Sequence, residues 1–177
     1  MSEQAVTAVP ELIAESFARN GRVNVAVIAA LSEADLDLED GAGGWTLGKH
    51  LGHLADFRKS WLSNISPPHA EGLPEVLRGN WSNFELTTRD LGELAATFRA
   101  GDAAALQAVS DALREGRAFA DPWNEGAYAS SPVHFLQHIL VHDAHHRGQI
   151  MALLRRGGRT PEQMNALDDA TWAIWRE

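Results

Sequence analysis

The sequence predicts an all-α fold: an antiparallel four-helix bundle followed by a short C-terminal helix. Three observations predict it. Apolar residues recur at helical spacing through four long segments. No segment shows the apolar–polar alternation of a half-buried strand. Two long connections separate the helices, as in bundles with crossovers. The 177 residues are read as a single domain, residues 1–177, long enough to bury a continuous core. With 45% hydrophobic and 22% charged residues, the chain is globular rather than disordered.

The first helix runs from about Pro10 to Leu31, with Ile13, Phe17, Val27, Ile28 and Leu31 near one face. Pro10 suits its first turn. Gly21 is a weak point, costing about 1 kcal/mol relative to alanine. Leu36 to Gly44 is acidic and then glycine-rich, and reads as a connection. The second helix starts after Trp45 with Thr46 as its cap. Its apolar side carries Leu47, Leu51, Leu54, Phe57, Trp61 and Ile65, and Ser66-Pro67-Pro68 stops it. A loop of roughly 15 residues follows through Gly72, Pro74 and Gly79, a length typical of functional loops or crossovers.

The third helical region runs from about Asn83 to Arg117, with a break expected near Gly101-Asp102. Leu86, Leu91, Leu94 and Phe98 precede that break; Leu106, Val109 and Leu113 follow it. Phe119 to Ala129, with Pro122 and Gly126, reads as a loop. The fourth helix is the clearest. Ser131 caps it, Pro132 fills its first turn, apolar positions continue to Leu154, and Gly157-Gly158 ends it. After Pro161, Asp168 to Arg176 forms the short last helix, with Trp172 and Trp175 expected to pack on the bundle.

Charge narrows the function classes. Against 24 acidic residues stand 15 basic ones, a formal charge of −9. Such a chain gains nothing from counterion release on nucleic acid, and anionic membrane surfaces repel it. No apolar run approaches the roughly 20 residues of a membrane span. The opening Met-Ser-Glu-Gln lacks the basic start and apolar stretch of a secretory signal, so the expected location is the cytoplasm. The absence of cysteine excludes disulfides, thiolate metal sites and a protein thiol nucleophile. Any thiol in the chemistry arrives with a substrate.

Five of the eight histidines fall between His134 and His146. On a wheel of about 100° per residue with His134 at zero, Phe135, Leu136, Ile139, Ile150, Leu153 and Leu154 span about 100–200°. His146 lies near about 120° and His142 near about 80°, whereas His138, His134 and His145 lie between about 0° and 40°. His142 and His146 therefore have a path into the bundle interior, and His145 points outward. Four residues apart, their imidazoles can reach one point. Neutral imidazoles suit zinc, nickel, copper or iron. Two ligands seldom hold an ion alone, so a third must come from another helix. The second helix offers His50, near the centre of its apolar face, and His53, nearer an edge. Geometry does not choose between them, and an isolated histidine on an apolar edge is more often a hydrogen-bonded core residue.

Two sequence blocks supply a further clue. One is Gly44-Trp45-Thr46 followed by His53-Leu54-Ala55-Asp56, with histidine eight residues after tryptophan. The other is His142-Asp143-Ala144-His145-His146-Arg147-Gly148-Gln149-Ile150. With the helix lengths and the long connection after the second helix, they resemble the DinB/YfiT-like superfamily of metal-dependent four-helix-bundle proteins. The resemblance implies up-down-down-up helix order in a bundle that is often a homodimer. It also implies a three-histidine metal site, which maps to His53, His142 and His146 and so prefers His53 to His50. Its relatives include transferases that use a low-molecular-weight bacterial thiol.

Three protein ligands leave an open coordination position, the pattern of a catalytic rather than structural zinc site. The expected cofactor is a divalent ion, zinc or nickel first, with iron or manganese as alternatives. A thiol bound there would be a nucleophile at neutral pH, giving thiol transfer to a small-molecule substrate; a hydroxide would give hydrolysis. Asp56 is the candidate catalytic group, orienting an imidazole or moving a proton, or else a solvated helix residue. His50, His138 and Arg147 are candidates for supporting the ligands. Arg147 could instead hold an anionic substrate or tie helices together. Trp45, Trp81 and Trp123 are candidate pocket walls, none assigned to substrate. A non-catalytic metal-binding or sensing bundle, its site closed by His50 or His138, is the second reading. A structural or partner-binding bundle with hydrogen-bonded histidines is the third.

Overall fold

Helix ends follow local chemistry in the computed structural model, which describes residues 8–80, 83–120, 128 and 131–177. In chain order come α1 (Val9–Ala29), a 3-10 turn (Glu33–Asp37), α2 (Leu47–Ile65), the short α3 (Pro67–Ala70), β1 (Leu77–Asn80), β2 (Asn83–Leu86), α4 (Leu91–Arg114), α5 (Val133–Arg156) and α6 (Pro161–Trp175). Pro10 sits in the first turn of α1. Thr46 accepts the Lys49 N–H at 3.2 Å and caps α2. The Ser131 hydroxyl accepts the Val133 N–H at 3.3 Å where α5 begins. Past the end of α5, Gly158 takes φ +94°, the left-handed turn glycine adopts without penalty.

α1 and α2 each lie against both α4 and α5, forming the bundle. No helix among the described residues is long and apolar enough to cross a membrane. The core divides into two apolar halves. Val27, Leu47, Leu51, Leu94 and Leu154 belong to one; Phe17, Leu62, Ala108, Phe135 and Ile139 belong to the other. Between them runs a polar layer. Arg58 of α2 is 0% exposed and makes a double hydrogen bond to Asp143 of α5, at 2.8 and 2.6 Å. Arg58 Nε donates to Asp102 of α4 at 2.9 Å, and Asn20 and Asn24 of α1 each donate to Asp143 at 2.6 Å. One buried network therefore links all four helices.

Four expectations are corrected. The chain does contain strands: β1 and β2 pair antiparallel, Leu77 opposite Leu86 and Gly79 opposite Phe84. Phe84 is buried, and the Leu77 and Leu86 side chains press onto Gly48 and Gly52 of α2, where added Cβ atoms would lie 2.6–2.8 Å away. The third helix consequently starts at Leu91 rather than Asn83, capped by the Asp90 carboxylate, which accepts the Gly92 and Glu93 N–H groups. It does not break at Gly101. That glycine instead admits the stem of Arg58, whose Cβ would lie 2.9 Å from a Cβ built there. Finally, α6 begins at Pro161, held by a Thr160–Gln163 capping box. It packs through Met164, Leu167 and Thr171, leaving Trp172 52% exposed.

Gly101 yields a prediction of sign. In an open helix, Gly→Ala gains about 1 kcal/mol. Here Arg58 is pinned by Asp143, Asp102 and the Leu54 carbonyl and cannot withdraw its stem, so Gly101→Ala should destabilise by about 1–3 kcal/mol. Urea unfolding measures it; a variant as stable as the parent would show that the contact imposes no constraint.

Candidate metal centre

α2 and α5 run antiparallel, so ring meets ring in reverse order: His50 with His146, His53 with His142, Phe57 with His138. His142 and His146 project from one side of α5 a turn apart, and His53 faces them from α2. One ring nitrogen of each lies within 4.8 Å of the others. Small side-chain rotations would close this group onto one ion. His53 Nε2 lies 2.9 Å from His142 Nε2, and His50 Nδ1 lies 3.0 Å from His146 Nδ1. Trp45, on the residue before the α2 cap, stacks parallel to His146 with ring centres 5.9 Å apart and meets His53 edge-on at 5.2 Å. Phe57 stacks on His142 at 3.9 Å.

Those aromatic walls set the electrostatics. Burial, then the neighbouring imidazoles, pushes His53 and His50 down to about 4 and His142 to about 3. Burial, then His145, also lowers His146. All four rings are therefore neutral near pH 7, the protonation state a metal requires. His142 Nδ1 is buried without a hydrogen-bond partner among the described residues. Neutral nitrogens gathered from two helices fit a divalent cation that prefers imidazole. His53, His142 and His146 are the residues that would hold it.

Lowered histidine pKa values make a prediction for metal-free protein. The folded state resists protonation until about pH 4, whereas unfolded histidines take up protons below their ordinary value of 6.5. The stability they contribute is complete above that value and is lost as pH falls from it toward about 4. Urea midpoints should drop across this window, and His53→Ala should flatten the dependence. A midpoint independent of pH there would contradict the burial of these rings.

His53 and His142 also line a cavity of about 510 Å³ between α2, α5 and the hairpin. Phe57, Trp61, Leu77 and Phe84 supply its apolar wall; Asp56, Ser60, Asn80 and His138 supply its polar one. Asp56 is thus no solvated surface residue. It is half-buried, and burial, then nearby Glu75, raises its pKa. His138 accepts or donates a hydrogen bond with the Tyr128 hydroxyl and meets Trp61 edge-on at 5.1 Å. His50 lies outside the convergent group, against His146, and lines a second cavity of about 420 Å³ with Trp45, Gln149 and Arg156. His145 is exposed, as its wheel position predicts, with Nε2 at 3.3 Å from Gln149.

Arg147 is found elsewhere. Its guanidinium donates to Asn20 Oδ1 at 2.9 Å and Asn24 Oδ1 at 2.6 Å, tying α5 to α1. Of the three roles open to it, supporting the ligands, holding an anion and joining helices, the last is the one its bonds to Asn20 and Asn24 serve. Trp81, Trp123 and most of the expected Phe119–Ala129 loop lie outside the described residues. Neither Arg58 nor, beside His142, Asp143 is among the candidates the sequence suggests. Burial opposes its ionisation, but Arg58 and the two asparagines outweigh that and lower its pKa. Both carry a visible signal: Arg58 interrupts the stripe Leu47, Leu51, Leu54, Leu62, Ile65, and Asp143 sits mid-stripe on α5.

Comparison with known proteins follows the same lines. The model of the DinB family matches residues 1–177. The crystal structure of a DinB-like protein from Bacillus cereus ATCC 10987 is similar, with a TM-score of 0.57 at 21% identity. The match covers 85% of this chain and 93% of that one, a likeness of fold. No curated protein matches the chain.

Proposed function

The chain belongs to the DinB family, and from that premise we propose that it is a metal-dependent enzyme that transfers a low-molecular-weight thiol to an electrophilic small molecule. The observation that carries the reading is the convergence of His53, His142 and His146, neutral near pH 7, at the wall of a cavity large enough for a substrate. Zinc or nickel suits such a donor set first, iron or manganese next. A divalent ion held there supplies Lewis-acid charge that favours the anionic form of a thiol or water beside it.

The chain's own residues do the rest. With no cysteine of its own, the protein leaves the nucleophilic sulfur to a cosubstrate. His50 braces His146 through the Nδ1–Nδ1 contact and fixes the ring's direction. Trp45 and Phe57 cover the imidazoles and keep water from their faces. Asp56, on the cavity wall with its pKa raised, would accept the thiol proton or return one to the leaving group. The test is a conjugation assay of zinc- and nickel-loaded protein with a small thiol and an aryl halide or epoxide. Metal-dependent conjugation that vanishes in His146→Ala is the expected result; conjugation unaffected by that change would remove the histidines from the mechanism. Hydrolysis without thiol would point to the hydrolase variant.

A second reading rests on His50. A fourth imidazole 3.0 Å from His146 could close the site and make the bundle a metal sensor or store rather than an enzyme. Such a protein would bind zinc with four nitrogen ligands and conjugate nothing.

A further inference from the structure

We propose that a third cavity, across the bundle from the histidines, binds an amphipathic organic anion, a carboxylate on a short hydrocarbon body. The helices fix its place. α1 and α2 each rest on α4 and α5, so the seam between α1 and α4 lies opposite the seam between α2 and α5 that holds the imidazoles. A cavity of about 430 Å³ opens along the α1–α4 seam, within the range of about 300–1,000 Å³ typical of small-molecule sites. It shares no residue with the histidine group, so the inference stands apart from the metal reading.

Its apolar floor comes from Phe17 and Val25 of α1 and Leu106 of α4. Val25 packs on one half of the core and Leu106 on the other, so the cavity opens over their junction, where the polar layer crosses. Ala18 and Ala103, both exposed on its walls, are too short to roof it. Apolar surface left open in this way favours a hydrocarbon.

Charge decides the other end of the ligand. Three charged residues line the cavity, Arg22, Arg99 and Asp102. Asp102 is already compensated. One of its oxygens accepts the Arg58 Nε–H at 2.9 Å, and the other lies flush against Gly21, where no Cβ would fit. Arg99 is exposed and has no hydrogen-bond or ion-pair partner among the described residues. Arg22 pairs with Glu177, each side chain about half exposed, and a ligand can displace so weak a surface pair. In a chain of formal charge −9, two guanidinium groups beside an open apolar cavity reverse the local sign. They complement an anion and repel a cation, and a guanidinium matches a carboxylate with paired hydrogen bonds.

The test titrates octanoate, 1-octanol and octylammonium calorimetrically into full-length metal-free protein at about pH 8, where the acid is ionised and the amine charged. Metal removal keeps the carboxylate from binding an ion at the histidines. The expected order is octanoate, octanol, octylammonium, with about tenfold between first and last. Arg99→Gln should weaken octanoate about fivefold and leave octanol within about twofold. Ala103→Trp, at an exposed position, should fill the cavity and weaken octanoate by more than about tenfold, with the helical circular-dichroism spectrum and zinc uptake as in the parent. Ala18→Trp, on the facing wall, should do the same. Octylammonium binding as tightly as octanoate would overturn the proposal. So would octanoate affinity indifferent to Arg99→Gln or to both tryptophan variants, affinity lost in His142→Ala instead, or no binding by any probe to natively folded protein.

Discussion

Asp143→Asn should cost about 3–5 kcal/mol of folding stability. Arg58 and Asp143 are both 0% exposed and joined by two hydrogen bonds. Asparagine keeps the shape but removes the charge that Arg58 was buried against. Asp102 cannot take over: its single bond to Arg58 Nε is already made, and burial, the largest influence on it, raises its pKa. Arg58 would be left with an under-compensated charge in the middle of the core. The converse experiment separates charge from packing. Arg58→Met with Asp143→Leu removes both charges of this pair, and because Asp102 loses its Arg58 partner in the Arg58→Met single and in the double alike, the comparison isolates the Arg58–Asp143 interaction. The double variant should therefore be more stable than the sum of the single changes by about 1–3 kcal/mol, read from urea unfolding of all four proteins. Strict additivity, or a loss below about 1 kcal/mol for Asp143→Asn, would mean that the layer is not the keystone described here.

Zinc affinity should fall by more than about 100-fold in His142→Ala and in His146→Ala, and by only about 10–100-fold in His50→Ala. The difference reflects their places. His142 and His146 belong to the convergent group, whereas His50 touches His146 from outside it. Competition with a chromogenic chelator resolves these ranges. Equal losses for His50→Ala and His146→Ala would make His50 a ligand and favour the closed site of a sensor.

Much of this arrangement can be read from the sequence, and the exceptions have physical causes. Periodicity on α5 directs His142 and His146 inward and His145 outward because direction around one helix is a local property. Pairing with His53 rather than His50 depends on how α2 slides against α5, which one-dimensional periodicity does not contain; it came from the family resemblance. Arg58 and Asp143 could have been flagged as charges in apolar stripes, but their partners lie on other helices. Gly101 resembled a break because its reason, the stem of Arg58, is tertiary. The hairpin was missed because its strands have four residues each and Leu86, Leu91 and Leu94 continue a helical period across the boundary. Phe84 takes its place through contacts from outside its strand, with Trp45 at 4.8 Å and His53 at 6.3 Å between ring centres.

Metal content of the full-length protein, purified without an affinity tag, tests the central claim most directly. Elemental analysis should find about one divalent ion per chain, absent from His142→Ala and His146→Ala, with the parent stabilised against heat on adding zinc or nickel. Protein that carries no metal and shows no thermal shift with either ion would contradict it, and would leave the three histidines as hydrogen-bonded residues of an ordinary bundle core.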